Sequence, residues 1–354
     1  MCTVSFVSSR GQYLITSNRD EHVSRPLALK PQEETIGSVK VLFPKDPKAG
    51  GTWFALNENG SVGVLLNGGF VNHSPTGNYA RSRGLVLLDV IASENPFDLL
   101  QEMELLQIEP FTLVLFTTKL LEFRWDGHQK YFRPLDKTKN HIWSSATLYK
   151  DEVIEQRRKL FRKFIDGNSR ISAHEVVDFH SNNHDDFENG FIIDRNSGLK
   201  TFSVTQAILN RSDNDIVMRH FDLLNDNFFE VPFSPTQLTM FPVWLYYSIK
   251  ARSIFFFNAA NPGMKNGGMA MISKMDIYNM IPPQFIPKTV FVAKNEDAAV
   301  VLERILEAGI GFPFIAKPDI GMKAFGVEKI HDKDEFQKYV HWTPSHFLVQ
   351  ELIP

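Results

Sequence analysis

The sequence of 354 residues is poor in cysteine, in net charge and in long apolar runs. A single cysteine excludes an internal disulfide framework and fits a reducing compartment, so we expect the cytoplasm. No stretch reaches the length of a membrane span, and the N-terminus lacks the basic and apolar regions of a signal peptide. A formal charge of −3 gives no reason to expect nucleic acid or an acidic membrane as a partner.

The single cysteine is Cys2, directly after the initiator methionine. A residue this small allows an aminopeptidase to remove Met1, which leaves thiol and α-amine on one residue. A free α-amine has a pKa of about 7.7–8.0 and a free thiol about 8.5, so at neutral pH some amine can accept the thiol proton. Cys2 is therefore a candidate N-terminal nucleophile that supplies its own general base. The alternative is an incidental small residue at the start of a strand.

A β-hairpin is predicted at this terminus, with strands at residues 2–8 and 12–16 and a Gly-containing turn between them. If the hairpin folds about this turn, the numbers of paired residues sum to roughly 20 or 21. Either Asn18 or Arg19 then lies opposite Cys2. The string Asn-Arg-Asp-Glu is by itself typical of a solvated turn, but this register brings it to the thiol.

Arg19 and Asp20 supply opposite charges at this end of the hairpin. A guanidinium beside the thiol favours the thiolate, and each pKa unit of lowering corresponds to about 1.4 kcal/mol. The adjacent carboxylate of Asp20 could orient the arginine or hold the terminal ammonium. Both residues are candidate catalytic groups.

Three segments, MCTVSF, TSNRDEHVSRP and GGTWFALNENGSVGVLLN, resemble the NRDE family, the transport-and-Golgi-organisation-two proteins. The resemblance spans about the first 220 residues. It implies an αββα N-terminal-nucleophile fold, whose first hairpin is similar to that of the cysteine acylases that cleave penicillin V and bile salts. In those acylases an arginine and an aspartate follow the cysteine at a similar distance, which supports Arg19 and Asp20. Animal members of the family are linked to secretory organisation and haem handling.

A second hairpin is predicted over residues 52–66, with the turn Asn-Glu-Asn-Gly at 57–60. Asn67 follows it and precedes two glycines. In an acylase-like site such a residue could donate to an oxyanion, and the alternative is that Asn67 only caps the strand. Ser144 and Ser145 are weaker candidates for substrate contact.

The order of strand pairs, helices and further strand pairs predicts an α+β fold with two sheets between helices. A last strand pair is expected at residues 191–193 and 201–204. We expect a first domain at 1–225, a linker at 226–240 because proline and acidic residues interrupt the pattern, and a second domain at 241–354.

The second domain resembles the first half of an ATP-grasp domain in four segments, SKMD, FIPKT, FPFIAKP and LVQELI. Lys317 ends a short apolar strand, from which a lysine can reach nucleotide phosphates. The resemblance adds Lys274, and it places Gln350 and Glu351 at the hinge that contacts adenine. The glycines of GMKAFG, residues 321–326, could let backbone approach the phosphates.

The ATP-grasp resemblance also implies Mg²⁺ ligands downstream of the hinge, beyond Pro354. We therefore expect ATP as a possible ligand of this region, no working ligase in the chain as given, and no cofactor for the first domain. The leading hypothesis is an N-terminal cysteine amidohydrolase acting on a small-molecule amide. The alternatives are a non-catalytic protein that binds or carries haem or lipid, and a fragment of an ATP-grasp ligase fusion.

Overall fold

The computed structural model describes residues 3–73, 77, 79–168, 170–211, 216–233, 236–253, 256, 272–320, 327–343 and 345–353. Contacts divide the chain into two compact units, Met1–Gln237 and Leu238–Pro354. Among the described helices, none combines the length and the apolar character that crossing a bilayer requires.

The first hairpin belongs to a six-stranded antiparallel sheet, the first sheet. In spatial order its strands are β10 (His141–Ser144), β1 (Thr3–Ser9), β2 (Gln12–His22), β11 (Leu199–Asn210), β12 (Ile216–Asp222) and β13 (Asn227–Phe233). Arg10 and Gly11 form the turn between β1 and β2 with φ values of 49° and 73°, as two-residue hairpin turns require. Paired residue numbers sum to 21, since Thr3 lies opposite Asn18. Cys2 lies outside the described residues.

The second sheet of the first unit has seven antiparallel strands in chain order. They are β3 (Leu29–Ile36), β4 (Val39–Lys45), β5 (Phe54–Asn57), β6 (Val62–Asn67), β7 (Phe111–Phe116), β8 (Leu120–Trp125) and β9 (Lys130–Leu135). The helices of this unit include α1 (Arg83–Ile91), α2 (Pro96–Glu102), α3 (Asp151–Asp166) and α4 (Ala173–His180).

Two apolar cores define the layers of the first unit. One lies between the sheets and joins Val4 and Phe6 of β1 to Phe54 of β5. The other lies between the opposite face of the second sheet and helices α1 and α2. Helices α3 and α4 contact the first sheet, where His180 lies beside Ser5. The unit is therefore layered helix, sheet, sheet and helix, and the expected mixture of α and β structure is confirmed.

Two late stretches of the first unit differ from the sequence-based expectation. Residues 191–193 are not a strand, but the expected turn is present: an antiparallel bridge joins Asp194 to Lys200, and the Thr201 N–H donates to the Ile193 carbonyl at 3.0 Å. Residues 227–233, within the expected linker, form β13, because Phe233 is buried in the core between the sheets.

The second unit contains a four-stranded antiparallel sheet, the third sheet, in the order β14 (Thr289–Val292), β17 (Phe347–Glu351), β15 (Phe314–Pro318) and β16 (Glu328–Ile330). Its helices include α6 (Lys274–Asn279), α7 (Ala298–Glu307) and α8 (Lys333–Trp342). Helix α5 (Thr236–Ala251) spans the border between the units. Apolar side chains of α7 and α8, such as Ile305 and Phe336, pack on the third sheet.

Candidate functional site

The start of β1 is fixed by strands on both sides and by a helix above it. Thr3 pairs with Asn18 of β2 and with Ser144 of β10. The Thr3 hydroxyl accepts a hydrogen bond from the guanidinium of Arg157 in α3. Arg157 is buried and stacks on the ring of Tyr149, 3.6 Å from its centroid. No local pattern in the sequence indicates this hydrogen bond, because it joins residues 154 positions apart.

Arg19 lies on the inner face of β2, between the two sheets, and is 1% exposed. Its Nη2 donates to Oδ2 of Asp46 at 3.0 Å. The guanidinium carbon lies 4.5 Å from the ring centroid of Trp53 and 5.6 Å from that of Phe202. Burial lowers the pKa of Arg19, and the carboxylates of Glu21 and Asp46 act in the opposite direction. An arginine stays protonated under such conditions, so the site contains a buried positive charge.

Asp46 anchors this arginine from the loop after β4. Its Oδ2 also accepts from Nε of Arg25 at 3.0 Å, and its Oδ1 accepts from the backbone N–H groups of Lys48 and Ala49. Burial alone would raise the pKa of Asp46, but the Ala49 N–H and the two arginines hold it below its ordinary value. Sequence reasoning missed Asp46, and the turn-forming Asp-Pro and Gly-Gly pairs around it signal only a loop.

Asp20, next to Arg19 in the chain, points to the other face of the first sheet, away from the core between the sheets. Its Oδ2 accepts from the hydroxyl of Tyr149 at 3.0 Å and its Oδ1 from that of Thr201 at 2.6 Å. A β-bulge at Phe202 lets Thr201 lie opposite Asp20 while Ser203 lies opposite Arg19. Arg19 and Asp20 are therefore both buried, but they point to opposite faces of the sheet and bond to different partners rather than to each other.

Buried hydrogen bonds link Asn18 to the end of α4. A capping box between Ser172 and Glu175 begins this helix, which ends at His180. Nδ1–H of His180 donates to Oδ1 of Asn18 at 2.5 Å, and its Nε2 accepts from the Ser5 hydroxyl at 2.7 Å. Burial lowers the pKa of His180 to about 3, and the charge of Arg157 acts in the same direction, so the imidazole is neutral.

Asn67, the candidate oxyanion donor, ends β6. Its backbone carbonyl accepts a hydrogen bond from the Ser145 hydroxyl at 2.9 Å. The next residue, Gly68, has a φ of 83°, which turns the chain sharply after the strand. The segment with Ser144 and Ser145 is thus tied both to Asn67 and to the start of β1.

A cleft of about 310 Å³ opens beside this segment. Its walls come from β6, β7, β8, β10 and α3, and include Leu66, Thr112, Arg124, Trp143, Ser144 and Arg158. Glu122 orders one wall, because it accepts hydrogen bonds from Nε1 of Trp143 at 2.6 Å and from Nε of Arg124 at 3.1 Å. The lining is partly apolar and partly charged.

In the second unit, three of the four residues assigned to nucleotide binding lie close together. The Lys317 ammonium donates to the Tyr278 hydroxyl at 2.9 Å and to Oε1 of Gln350 at 2.6 Å. The Lys274 ammonium donates to the carbonyls of Pro318 and Asp319. Burial lowers the pKa of Lys274, with the nearby charge of Lys317 acting in the same direction.

Glu351, the fourth of these residues, is part of the sheet rather than of the lysine group. Its Oε1 accepts from the backbone N–H of Lys288 at 2.8 Å. The glycine-containing loop at 321–326 lies outside the described residues. Within the described part of the chain, no cluster of three or more potential metal-ligating side chains is present.

Comparison with known proteins gives remote structural similarities. An N-acylethanolamine-hydrolyzing acid amidase ortholog from Caenorhabditis elegans is 11% identical, with a TM-score of 0.42 over 60% of this chain and 95% of that chain. A variant of conjugated bile acid hydrolase from Clostridium perfringens is 10% identical, with a TM-score of 0.38 over 66% of this chain and 92% of that chain. No curated protein matches the sequence.

A family model matches residues 1–222 and ends before the second unit, so the ATP-grasp resemblance stays a prediction. The matched region includes both sheets up to the end of β12 and every group around Arg19 and Asp20 described above. The match confirms the resemblance seen in the first 220 residues: the chain belongs to the Transport and Golgi organisation 2 family.

Proposed function

We propose that this protein hydrolyses an amide or related acyl bond with Cys2 as its N-terminal nucleophile. One observation carries the proposal. The first hairpin holds two buried ionic side chains, Arg19 and Asp20 of β2, beside the start of β1, and the only cysteine directly precedes β1 in the sequence.

Arg19 is the group proposed to activate the thiol. The sequence predicts Asn18 or Arg19 opposite Cys2, and the described pairing of β1 ends with Thr3 opposite Asn18, directly before Arg19. A guanidinium at that position favours the thiolate. Asp46 and the Trp53 ring hold Arg19 in place, so little reorganisation is needed when the thiolate forms.

Asp20 is proposed to orient the α-amine of Cys2. The hydroxyls of Tyr149 and Thr201 fix its carboxylate in one orientation from two different elements. A carboxylate held in this way can position an amine that takes up the thiol proton and later delivers it to the leaving group.

The cleft beside Ser144 is the proposed substrate site. Its volume of about 310 Å³ is near the lower end of small-molecule pockets, about 300–1,000 Å³. Ser144 pairs with Thr3, so the cleft adjoins the start of β1. Leu66 lines the cleft, and Asn67, the candidate donor to the substrate oxygen, directly follows Leu66 in β6. The mixed lining fits an amide that has an apolar acyl part.

The test is the intact mass of the native-start protein before and after a limiting dose of iodoacetamide near neutral pH. We expect loss of Met1 and fast labelling of Cys2, slowed about tenfold in Arg19→Ala for each pKa unit that the thiol regains. Arg10→Ala is the matched control, because Arg10 lies at the turn end of the same hairpin and donates to the Arg170 carbonyl.

If Met1 is retained, or if labelling is slow and Arg19→Ala does not change its rate, Cys2 is not the proposed N-terminal nucleophile. Saturable binding of haem or lipid that Cys2→Ala leaves unchanged would then support the carrier alternative.

For the second unit we propose binding of nucleotide phosphates by Lys274 and Lys317. The grouping of two ammonium ions around Tyr278 favours this, because like charges in proximity are stabilised by an anion between them. ATP should raise the melting temperature of the wild type, and Lys317→Ala should abolish the rise. Lys288→Ala is the control, since among the described residues its ammonium donates to the Gly309 carbonyl on the surface. An equal rise in Lys317→Ala would contradict the proposal.

A further inference from the structure

A patch of polar side chains interrupts the core between the two sheets. On the inner face of the first sheet Arg19 lies opposite Ser203, and Thr205 lies between Ser17 and His220. Paired residues of neighbouring strands share a face, so these five side chains are contiguous. Trp53, which directly precedes β5 of the second sheet, faces them with its ring centroid 6.2 Å from that of His220.

Three buried polar atoms in this patch have no hydrogen-bond partner among the described residues. They are Nε of Arg19, Nε1 of Trp53 and Oγ of Ser203. Their residues are 1%, 2% and 3% exposed. Nε of Arg19 lies 3.9 Å from Oε1 of Glu21, beyond hydrogen-bond length. Buried polar groups are as a rule hydrogen-bonded, so two N–H donors and a hydroxyl indicate an acceptor that the described part of the chain does not supply.

The other polar side chains of the patch have hydrogen-bond partners, so the missing acceptor belongs beside Arg19. The Thr205 hydroxyl and Nδ1 of His220 are 2.8 Å apart, and the Ser17 hydroxyl donates to the Asn18 carbonyl at 3.3 Å. Burial lowers the pKa of His220 to about 4, so its ring is neutral near pH 7. Arg19 is therefore the cation of the patch, and although Asp46 at 3.0 Å and Glu21 at 3.9 Å offset its charge, its Nε–H suits an electron-rich oxygen as acceptor.

We propose that Arg19 and Trp53 donate hydrogen bonds to the substrate oxygen that becomes an oxyanion. The inference rests on the proposed function and adds Trp53 as a substrate-contacting residue. When the Cys2 sulfur bonds to the carbonyl carbon, the C=O π pair moves onto this oxygen. As the pair returns, the C–N bond breaks and the amine leaves with a proton from the α-ammonium. Water then cleaves the thioester and releases a carboxylate, whose oxygen suits the same donors.

Trp53→Phe tests the donor directly, because it removes the N–H and keeps an aromatic ring under Arg19. Acyl transfer from p-nitrophenyl acetate passes through an oxyanion, whereas alkylation by iodoacetamide does not. We expect the acylation rate to fall about 100-fold while the alkylation rate stays within about twofold. Trp125→Phe is the matched control and should acylate normally, since the indole N–H of Trp125 is already bonded to the Ile108 carbonyl at 2.9 Å.

A second measurement does not depend on catalysis. In a Cys2→Ala background butyrate should raise the melting temperature, and adding Trp53→Phe should remove that rise. A Trp53-dependent rise without acyl transfer by the wild type would overturn the hydrolase and retain the donor pair. If Trp53→Phe is acylated at the wild-type rate, or if the butyrate effect does not depend on Trp53, Arg19 and Trp53 are not the proposed donor pair. A buried water would then be the acceptor beside them.

Discussion

Asp46 is the residue on which the buried charge of the first hairpin depends. It receives Arg19 and Arg25 on one oxygen and two backbone N–H groups on the other. Removing one partner of a buried ion pair leaves the other charge without compensation, which costs more than the pair contributes. Asp46 therefore determines whether Arg19 can remain inside the protein.

Asp46→Ala should lower the free energy of unfolding by about 3–5 kcal/mol and slow alkylation of Cys2. Urea denaturation and the alkylation rate measure the two effects. Glu34→Gln is the control, because the Glu34–Lys45 pair has a similar length of 2.8 Å but is about one-third exposed. That variant should lose less than about 1 kcal/mol. Equal losses in the two variants would contradict a special role for Asp46.

At the scale of elements, the sequence predicts what is local. The turn residues Arg10 and Gly11 predict the hairpin and limit the sum of paired residue numbers to 20 or 21, and the structure has 21. The partners of Arg19 and Asp20 could not be predicted, because Asp46, Tyr149 and Thr201 come from separate elements that only the folded sheets bring together. The sequence predicts a strand only at residues 201–204, whereas β11 extends from Leu199 to Asn210. The additional residues are a strand because they pair with β2, and residue propensities do not include such long-range pairing.

The segment that presents Trp53 depends on a close backbone approach to the start of α1. A Cβ atom on Gly51 would lie 2.5 Å from the Gly84 carbonyl carbon and 2.7 Å from the Leu85 nitrogen. Backbone atoms cannot move aside as a flexible side chain can. The two glycines therefore bring this loop against the helix.

Gly51→Ala should destabilise the first unit by about 1–3 kcal/mol, because the chain must separate from α1. Thermal unfolding followed by tryptophan fluorescence measures this. Gly311→Ala serves as the control, since a Cβ there meets open space. A Gly51→Ala protein as stable as the wild type would show that the loop can shift without cost.

At the scale of the molecule, the first unit contains two buried neutral histidines. The pKa of His180 is lowered to about 3 and that of His220 to about 4, from an ordinary 6.5, chiefly by burial. Between these values the unfolded chain binds protons that the folded chain does not. Stability is therefore highest above pH 6.5 and declines as the pH falls toward 4.

From pH 7.5 to pH 5 each histidine should cost about 2 kcal/mol of unfolding free energy. Urea denaturation at the two pH values measures the loss, and His220→Gln should show about half of it. A stability that is equal at both pH values, or a loss unchanged in His220→Gln, would contradict burial of the neutral rings.

The bulge at Phe202 makes this region sensitive to the number of residues rather than to their type. Side chains alternate between faces, so Thr201 and Ser203 reach opposite layers only because one extra residue changes the parity of the strand. Deleting Phe202 would keep every charged group of the site and still turn Thr201 or Ser203 to the wrong side. We therefore expect that evolution in residues 199–205 proceeds by substitution, and that insertions and deletions are excluded there.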